Sequence, residues 1–72
     1  MSSNNHKDQL MSIAETLESC NEQIADMCTD LLRATLRGDS NAQSVERSLQ
    51  RARRSIAKAE QILQSLNQNQ DD

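Results

Sequence analysis

The stretch Arg37-Gly38-Asp39-Ser40 decides the fold of this chain. It contains the only glycine, and the sequence has no proline. Glycine adopts the left-handed conformation that ends many helices without a steric penalty, so a first helix is predicted to end before Gly38. Ser40 is expected to be the N-cap of a second helix, with Gln43 reaching back in a capping box. The chain therefore reverses direction within residues 38–40.

Apolar residues recur at alternating intervals of three and four on both sides of this turn. In the first helix, predicted over about 6–37 with Asn5 as N-cap, they are Leu10, Ile13, Leu17, Cys20, Ile24, Met27, Leu31 and Ala34. In the second, predicted over about 41–66, they are Ala42, Val45, Leu49, Ala52, Ile56, Ala59, Leu63 and Leu66. This is the spacing of a heptad seam. Folding at the turn places the two seams opposite each other, with Ile24 facing Ala52.

The repeats predict a single domain over residues 1–72, an all-α antiparallel two-helix hairpin with a polar tail at 67–72. Its core is thin, because apolar residues make up 35% of the 72 and none is aromatic. For a chain this small, apolar burial and ordering entropy roughly cancel. We therefore expect a protein partner. Either two hairpins pair into a four-helix bundle, or one hairpin docks on another helical protein.

A second apolar line beside the first seam is the candidate docking surface. The candidate partner-binding residues are Ala25, Cys28, Leu32, Leu36 and, on the second helix, Ile62. A two-helix hairpin cannot bury both lines internally. Cys20, which lies on the seam, is expected in the core, whereas Cys28 is expected to be the more accessible thiol.

No constellation of residues predicts catalysis, a cofactor or a metal site. His6 is the only histidine and has no expected neighbours of matching chemistry. Glu15, Glu18 and Glu22 share a helix surface, but acid–base catalysis needs a pocket, which a two-helix rod lacks. We expect a non-enzymatic protein.

The charges indicate an acidic first helix and a basic second helix in a chain of net charge −3. A basic stripe on the second helix consists of Arg47, Arg51, Arg54 and Lys58. The negative net charge and the lack of aromatic stacking residues argue against nucleic-acid binding, so we interpret the stripe as a solvated or ion-paired face. No apolar run is long enough to span a membrane, no signal peptide is evident, and the two cysteines are too far apart to pair, so a cytoplasmic location is expected.

The segment from Leu31 to Gly38, together with Ala42-Gln43 and the later positions Ala57, Ala59, Ile62, Leu63 and Leu66, carries a family resemblance. In this second half the chain resembles the YscE-like co-chaperones of bacterial type III secretion systems. The resemblance implies a cytoplasmic helical hairpin without enzymatic activity. It also implies that the hairpin binds a larger helical-repeat chaperone, and that the two together keep the needle subunit unpolymerised.

Two other functions fit the same features. One is a homodimeric four-helix-bundle regulator that binds RNA through the arginine stripe. The other is a phage-type inhibitor of a host protein, for which size and composition are equally suitable.

Overall fold

The computed structural model describes the backbone of residues 2–69 and the side chains of residues 6–67. It contains two helices, α1 (Ser2–Leu36) and α2 (Ser40–Asn69), and no strand within the described residues. The helices pack against each other along their length as an antiparallel hairpin, a rod of 56 × 14 × 11 Å. The predicted all-α two-helix hairpin is thus confirmed.

The turn ends α1 as the sequence indicates. Gly38 has a φ of 100°. The Asp39 N–H donates to the Ala34 carbonyl at 3.1 Å, and the Gly38 N–H donates to the Thr35 carbonyl at 2.9 Å. This pair of bonds is the Schellman motif, which satisfies carbonyls that the helix end would otherwise leave unpaired.

The cap of α2 differs from the prediction. Asp39, and not Ser40, is the N-cap, because its side-chain Oδ1 accepts the Ala42 N–H at 3.1 Å. The Asp39 carbonyl also accepts the Gln43 N–H at 3.4 Å, and Ser40 is the first residue of the helix. Aspartate caps a helix at least as well as serine and its negative charge suits the helix dipole, so it takes the position next to the glycine.

Both helices extend beyond the predicted bounds. α1 begins at Ser2, so Asn5 lies within the helix and is not its cap. α2 continues to Asn69, beyond the predicted end near 66 and into the expected polar tail, whose residues 70–72 lie outside the described part of the chain. Polar residues with adequate helix propensity extend a helix that packing has already nucleated.

Three rows of residues run along the sides of the helices that face each other or border that contact. The central row is Leu10, Leu17, Ile24 and Leu31 with Ala42, Leu49, Ile56 and Leu63. The inner flank is Ala14, Asn21, Cys28 and Thr35 with Glu46, Arg53, Glu60 and Asn67. The shared face is Ile13, Cys20, Met27 and Ala34 with Val45, Ala52, Ala59 and Leu66. Every residue of the first two rows is buried or half-buried, whereas most of the shared face is exposed.

Half of the predicted seam therefore lies between the helices, and the other half does not. The central row was expected between the helices and lies there, but the other half of the contact is the inner flank instead of the shared face. Small inner-flank residues such as Ala14 let the helices approach closely. Several polar ones find partners, as when the Thr35 Oγ1 donates to the Leu31 carbonyl at 2.9 Å. The Asn67 Oδ1, near the far end of the flank, is buried without one.

Gly38→Ala is expected to lower the free energy of unfolding by about 1 kcal/mol, because an L side chain is strained in the left-handed region. An added Cβ would meet no heavy atom within 4 Å, so the whole effect comes from the backbone conformation. Gly38→Asn is the control and should lose less, since asparagine tolerates this region. Urea unfolding followed by circular dichroism measures both. Equal stability of wild type and Gly38→Ala would contradict the assigned turn.

Candidate protein-binding surfaces

The two cysteines have exchanged the environments that the sequence suggested. Cys28 is buried between the helices with 2% of its surface exposed, and Ala42, at 4%, is the other fully buried apolar residue among residues 6–67. Cys20, expected in the core, is exposed. The expectation of an accessible Cys28 is therefore wrong, because Cys28 belongs to the inner flank. The isolated hairpin does not present it to a partner.

A polar pair joins the two helices near the middle of the rod. The Arg53 Nε donates to the Asn21 Oδ1 at 3.1 Å, and the Asn21 Nδ2 donates to the Arg53 carbonyl at 3.4 Å. Arg53 also donates through Nη1 to the Gln50 Oε1 at 3.3 Å. Both residues are half-buried. The reciprocal bonds fix which residue of α1 lies level with which residue of α2.

The shared face is one continuous surface of the hairpin. Successive helix residues turn by about 100°, so positions three after a central-row residue lie on one flank and positions four after it on the other. Because α1 and α2 are antiparallel, the residues three positions after each central-row residue face the same side of the rod in both helices. These residues are the shared face. Its large members, Ile13, Met27, Val45 and Leu66, are 39–52% exposed. The hairpin thus carries an unpartnered apolar surface on one side.

A second exposed surface, the α1 line, lies on the opposite side of the rod. It consists of Met11, Ala25, Leu32 and Leu36, all within α1. Leu36 beside the turn is 88% exposed, and Ala25 is half-buried. The α1 line contains three of the five candidate partner-binding residues, namely Ala25, Leu32 and Leu36.

The fifth candidate, Ile62, does not join the α1 line. It is exposed on α2 and shares a shallow groove with Leu66, at the edge of the shared face. The five candidates therefore do not form one surface: three lie together, Ile62 belongs to the other side, and Cys28 is internal. Whether any of them contacts a partner stays a prediction.

Two further grooves lie on the same side as the α1 line. One is mainly apolar, opens near the chain ends and is lined by residues including Leu10, Met11 and Leu63. The other is lined by residues including Arg53 of the polar pair and three acidic residues, Glu18, Glu22 and Glu60. Within the described residues, no group of three or more His, Cys, Asp or Glu side chains could hold a metal ion. Over the same part of the chain, neither helix has the length of apolar sequence needed to cross a membrane.

The basic stripe follows the outer side of α2. All four of its members, Arg47, Arg51, Arg54 and Lys58, are exposed. Arg51 donates through Nη2 to the Ser48 Oγ at 3.2 Å on the same helix. The stripe is thus a solvent-facing surface, and its last member, Lys58, also lines the shallow groove of Ile62 and Leu66 at the edge of the shared face.

Comparison with known proteins adds no relative: no protein-family model matches the chain, and no curated protein or solved structure matches it.

Sequence reasoning missed the inner flank and, with it, the shared face. Asn21 interrupts the inner flank of α1, and Arg53 occupies the corresponding row of α2, so counting apolar residues ranks this flank below the other. One feature of the sequence could have predicted the inner flank. When the chain is folded at Gly38, Asn21 and Arg53 lie on equivalent flanks of the two helices, nearly level along the rod. An amide and a guanidinium placed in that way can satisfy each other.

Proposed function

We propose that this chain is a non-enzymatic protein-binding module whose helical hairpin docks on another protein. The observation that supports this most is the exposure of large apolar side chains. Eight of them between residues 6 and 67 are exposed, against two fully buried apolar residues. A hairpin with so little core gains stability when a partner binds only its folded state. Exposed apolar surface on this scale is typical of interaction sites.

The specific role we propose is that of a type III secretion co-chaperone, as the resemblance in the second half of the chain implies. In this role the hairpin binds a helical-repeat chaperone and, with it, keeps a needle subunit unpolymerised. The α1 line is the proposed docking surface. Its spacing, with Ala25, Leu32 and Leu36 on one side of a helix, suits the groove of a helical-repeat protein, which accepts an amphipathic helix through such anchors.

The double substitution Met11→Glu/Leu32→Glu is expected to weaken the complex with such a chaperone by roughly 100-fold or more, since two anchors would bring unpaired charges into an apolar interface. Glutamate is a good helix former, so the hairpin should stay folded. Isothermal titration calorimetry of the chaperone with each hairpin variant measures the affinity of the complex. Circular dichroism checks the fold of the hairpin.

The matched control is Ile13→Glu/Met27→Glu. These two residues are 49% and 52% exposed, and Met11 and Leu32 are 51% and 49% exposed, so the two pairs differ mainly in the side of the rod they occupy. The control should bind the chaperone as the wild type does. If wild-type hairpin forms no complex with the helical-repeat chaperone and needle subunit of the same genome, the co-chaperone role is wrong. If the control variant alone loses binding, the α1 line is not the docking surface.

A further inference from the structure

We propose that the shared face is covered by a second copy of this chain. Two hairpins would form a four-helix bundle with both turns at the same end, and α1 of each copy would lie beside α2 of the other. This inference does not rest on the proposed chaperone role. The α1 line lies on the opposite side of each rod, so the bundle leaves it free for a different protein.

The composition of the shared face favours a protein interface. None of its eight residues is charged, although charged residues make up 26% of the chain. The core of a protein interface is depleted of charged residues in the same way. On the other side of the rod, Glu18 and Glu22 interrupt the α1 line. The shared face is thus the longer uncharged surface of the two.

The size of the shared face suits a dimer. The rod presents a side about 56 Å long and 14 Å wide. A stable interface of standard size buries about 800 Å² on each partner, which is close to the area of that side. Because the two copies are identical, an isologous contact about a two-fold axis uses the same side of both hairpins.

The width of the uncharged surface on each helix also fits a bundle better than an isolated hairpin. A helix with one neighbour needs one seam, whereas a helix in a four-helix bundle touches two neighbours and needs a wider stripe. Each helix here has an apolar central row and a second uncharged row on the shared face, whereas the inner flank of α2 is polar, with Glu46, Arg53, Glu60 and Asn67. The inner flank is used within the hairpin, and the shared face is the flank left for the second neighbour.

Side-chain size selects the arrangement of the two copies. The Asn21–Arg53 contact sets the register, so Ile13 lies level with the gap between Ala59 and Leu66. Met27 lies level with the gap between Val45 and Ala52. With both turns at the same end, each large residue of α1 therefore meets a gap bordered by an alanine on α2 of the second copy. Such alternation of large and small residues gives close packing.

Charge selects the same arrangement. α1 is predominantly acidic and α2 predominantly basic. With both turns at the same end, every pair of adjacent helices in the bundle joins an acidic helix to a basic one. With the turns at opposite ends, α1 would lie beside α1 and α2 beside α2, which brings like charges together and sets Ile13 against Met27. Like charges in such positions disfavour that arrangement.

The first experiment measures molar mass by light scattering across a concentration series. The wild-type chain should have twice its monomer mass, and Ile13→Glu/Met27→Glu should raise the dimer dissociation constant by roughly 100-fold or more, because each charge is introduced twice. The matched variant Met11→Glu/Leu32→Glu should remain a dimer. A wild-type monomer at all concentrations would overturn the proposal. So would dissociation of the matched variant without dissociation of Ile13→Glu/Met27→Glu.

The second experiment tests the arrangement by spin labelling of the turn. Arg37→Cys in a Cys20→Ala background gives one reactive site, since Arg37 is exposed and Cys28 is buried. Pulsed electron–electron double resonance measures the distance between the two labels. With both turns at the same end this distance should be below about 30 Å, because neighbouring helix axes lie about 10 Å apart. A distance near the 56 Å length of the rod would show the turns at opposite ends and overturn the arrangement.

These results are separate from the test of the proposed function. A dimer that binds no helical-repeat chaperone would keep this inference and exclude the co-chaperone role. A monomer that binds the chaperone through the shared face would exclude the dimer and keep the co-chaperone role.

Discussion

Cys28→Asp is expected to unfold the hairpin. Cys28 is one of two fully buried apolar residues between positions 6 and 67. An uncompensated charge at such a position costs about 3–5 kcal/mol. A chain of this size has a total stability of about 4–10 kcal/mol, and a core without aromatic residues places it toward the lower value. The register set by Asn21 and Arg53 also places Glu46 of α2 level with Cys28, so the new carboxylate would face one of its own sign.

Circular dichroism should show loss of most of the helical signal in Cys28→Asp at 25 °C and no cooperative urea transition. The control is Thr29→Asp, which adds the same charge to the next residue of α1, where the side chain is exposed. It should keep its helicity and lose less than about 0.5 kcal/mol, as surface substitutions usually do. If both variants melt alike, Cys28 does not lie between the helices, and the contact passes through Cys20 as the apolar repeat first suggested.

The position of Cys28 also shows which parts of the fold the sequence predicts and which it does not. The turn and the central row could be predicted, because glycine at a helix end and an apolar residue every seven positions have direct local causes. The choice between the two flanks could not. Ile13, Cys20 and Met27 are more apolar than Ala14, Asn21 and Cys28, so hydrophobicity alone favours the first set. The structure uses the second set because small side chains and a satisfied polar pair allow close approach of the helices.

The candidate site is likewise predicted only in part by the sequence. The sequence predicts an excess of apolar surface, since two lines on α1 cannot both be buried by one partner helix. It does not predict which line is left over, because that depends on the rotation of each helix about its own axis. If α1 is rotated about its axis so that the inner flank replaces the shared face in the contact, Met27 moves from the interhelical contact to the surface. Cys28 moves from the surface into the contact. The expected exposure of Leu32 and Leu36 on the α1 line is confirmed. These residues lie outside the central row and the inner flank, which form the contact between the helices.

A double-mutant cycle on Asn21 and Arg53 is expected to show strong coupling between the helices. Arg53→Ala should lower the free energy of unfolding by about 2 kcal/mol, because it removes a hydrogen bond from a charged donor and leaves the half-buried Asn21 amide with one partner fewer. Asn21→Ala should cost a similar amount. The double variant should lose about 1 kcal/mol less than the sum of the two, since both single variants lose the same bond from the Arg53 Nε to the Asn21 Oδ1. The bond from the Asn21 Nδ2 to the Arg53 main-chain carbonyl is lost only with Asn21→Ala. Urea unfolding at fixed protein concentration measures all four chains.

Arg54→Ala is the matched control for this cycle. Arg54 is the neighbouring arginine on the exposed stripe of α2, so its removal changes the net charge equally but leaves the interhelical pair intact. It should change stability by less than about 0.5 kcal/mol. Arg53→Lys is a further probe: lysine keeps the charge near Glu18, Glu22 and Glu60 but lacks the guanidinium Nε that donates to Asn21. If Arg53→Lys were as stable as the wild type, the arginine would act through its charge alone. Additive losses in the cycle would likewise show that the side-chain bond between Arg53 and Asn21 does not couple the two helices.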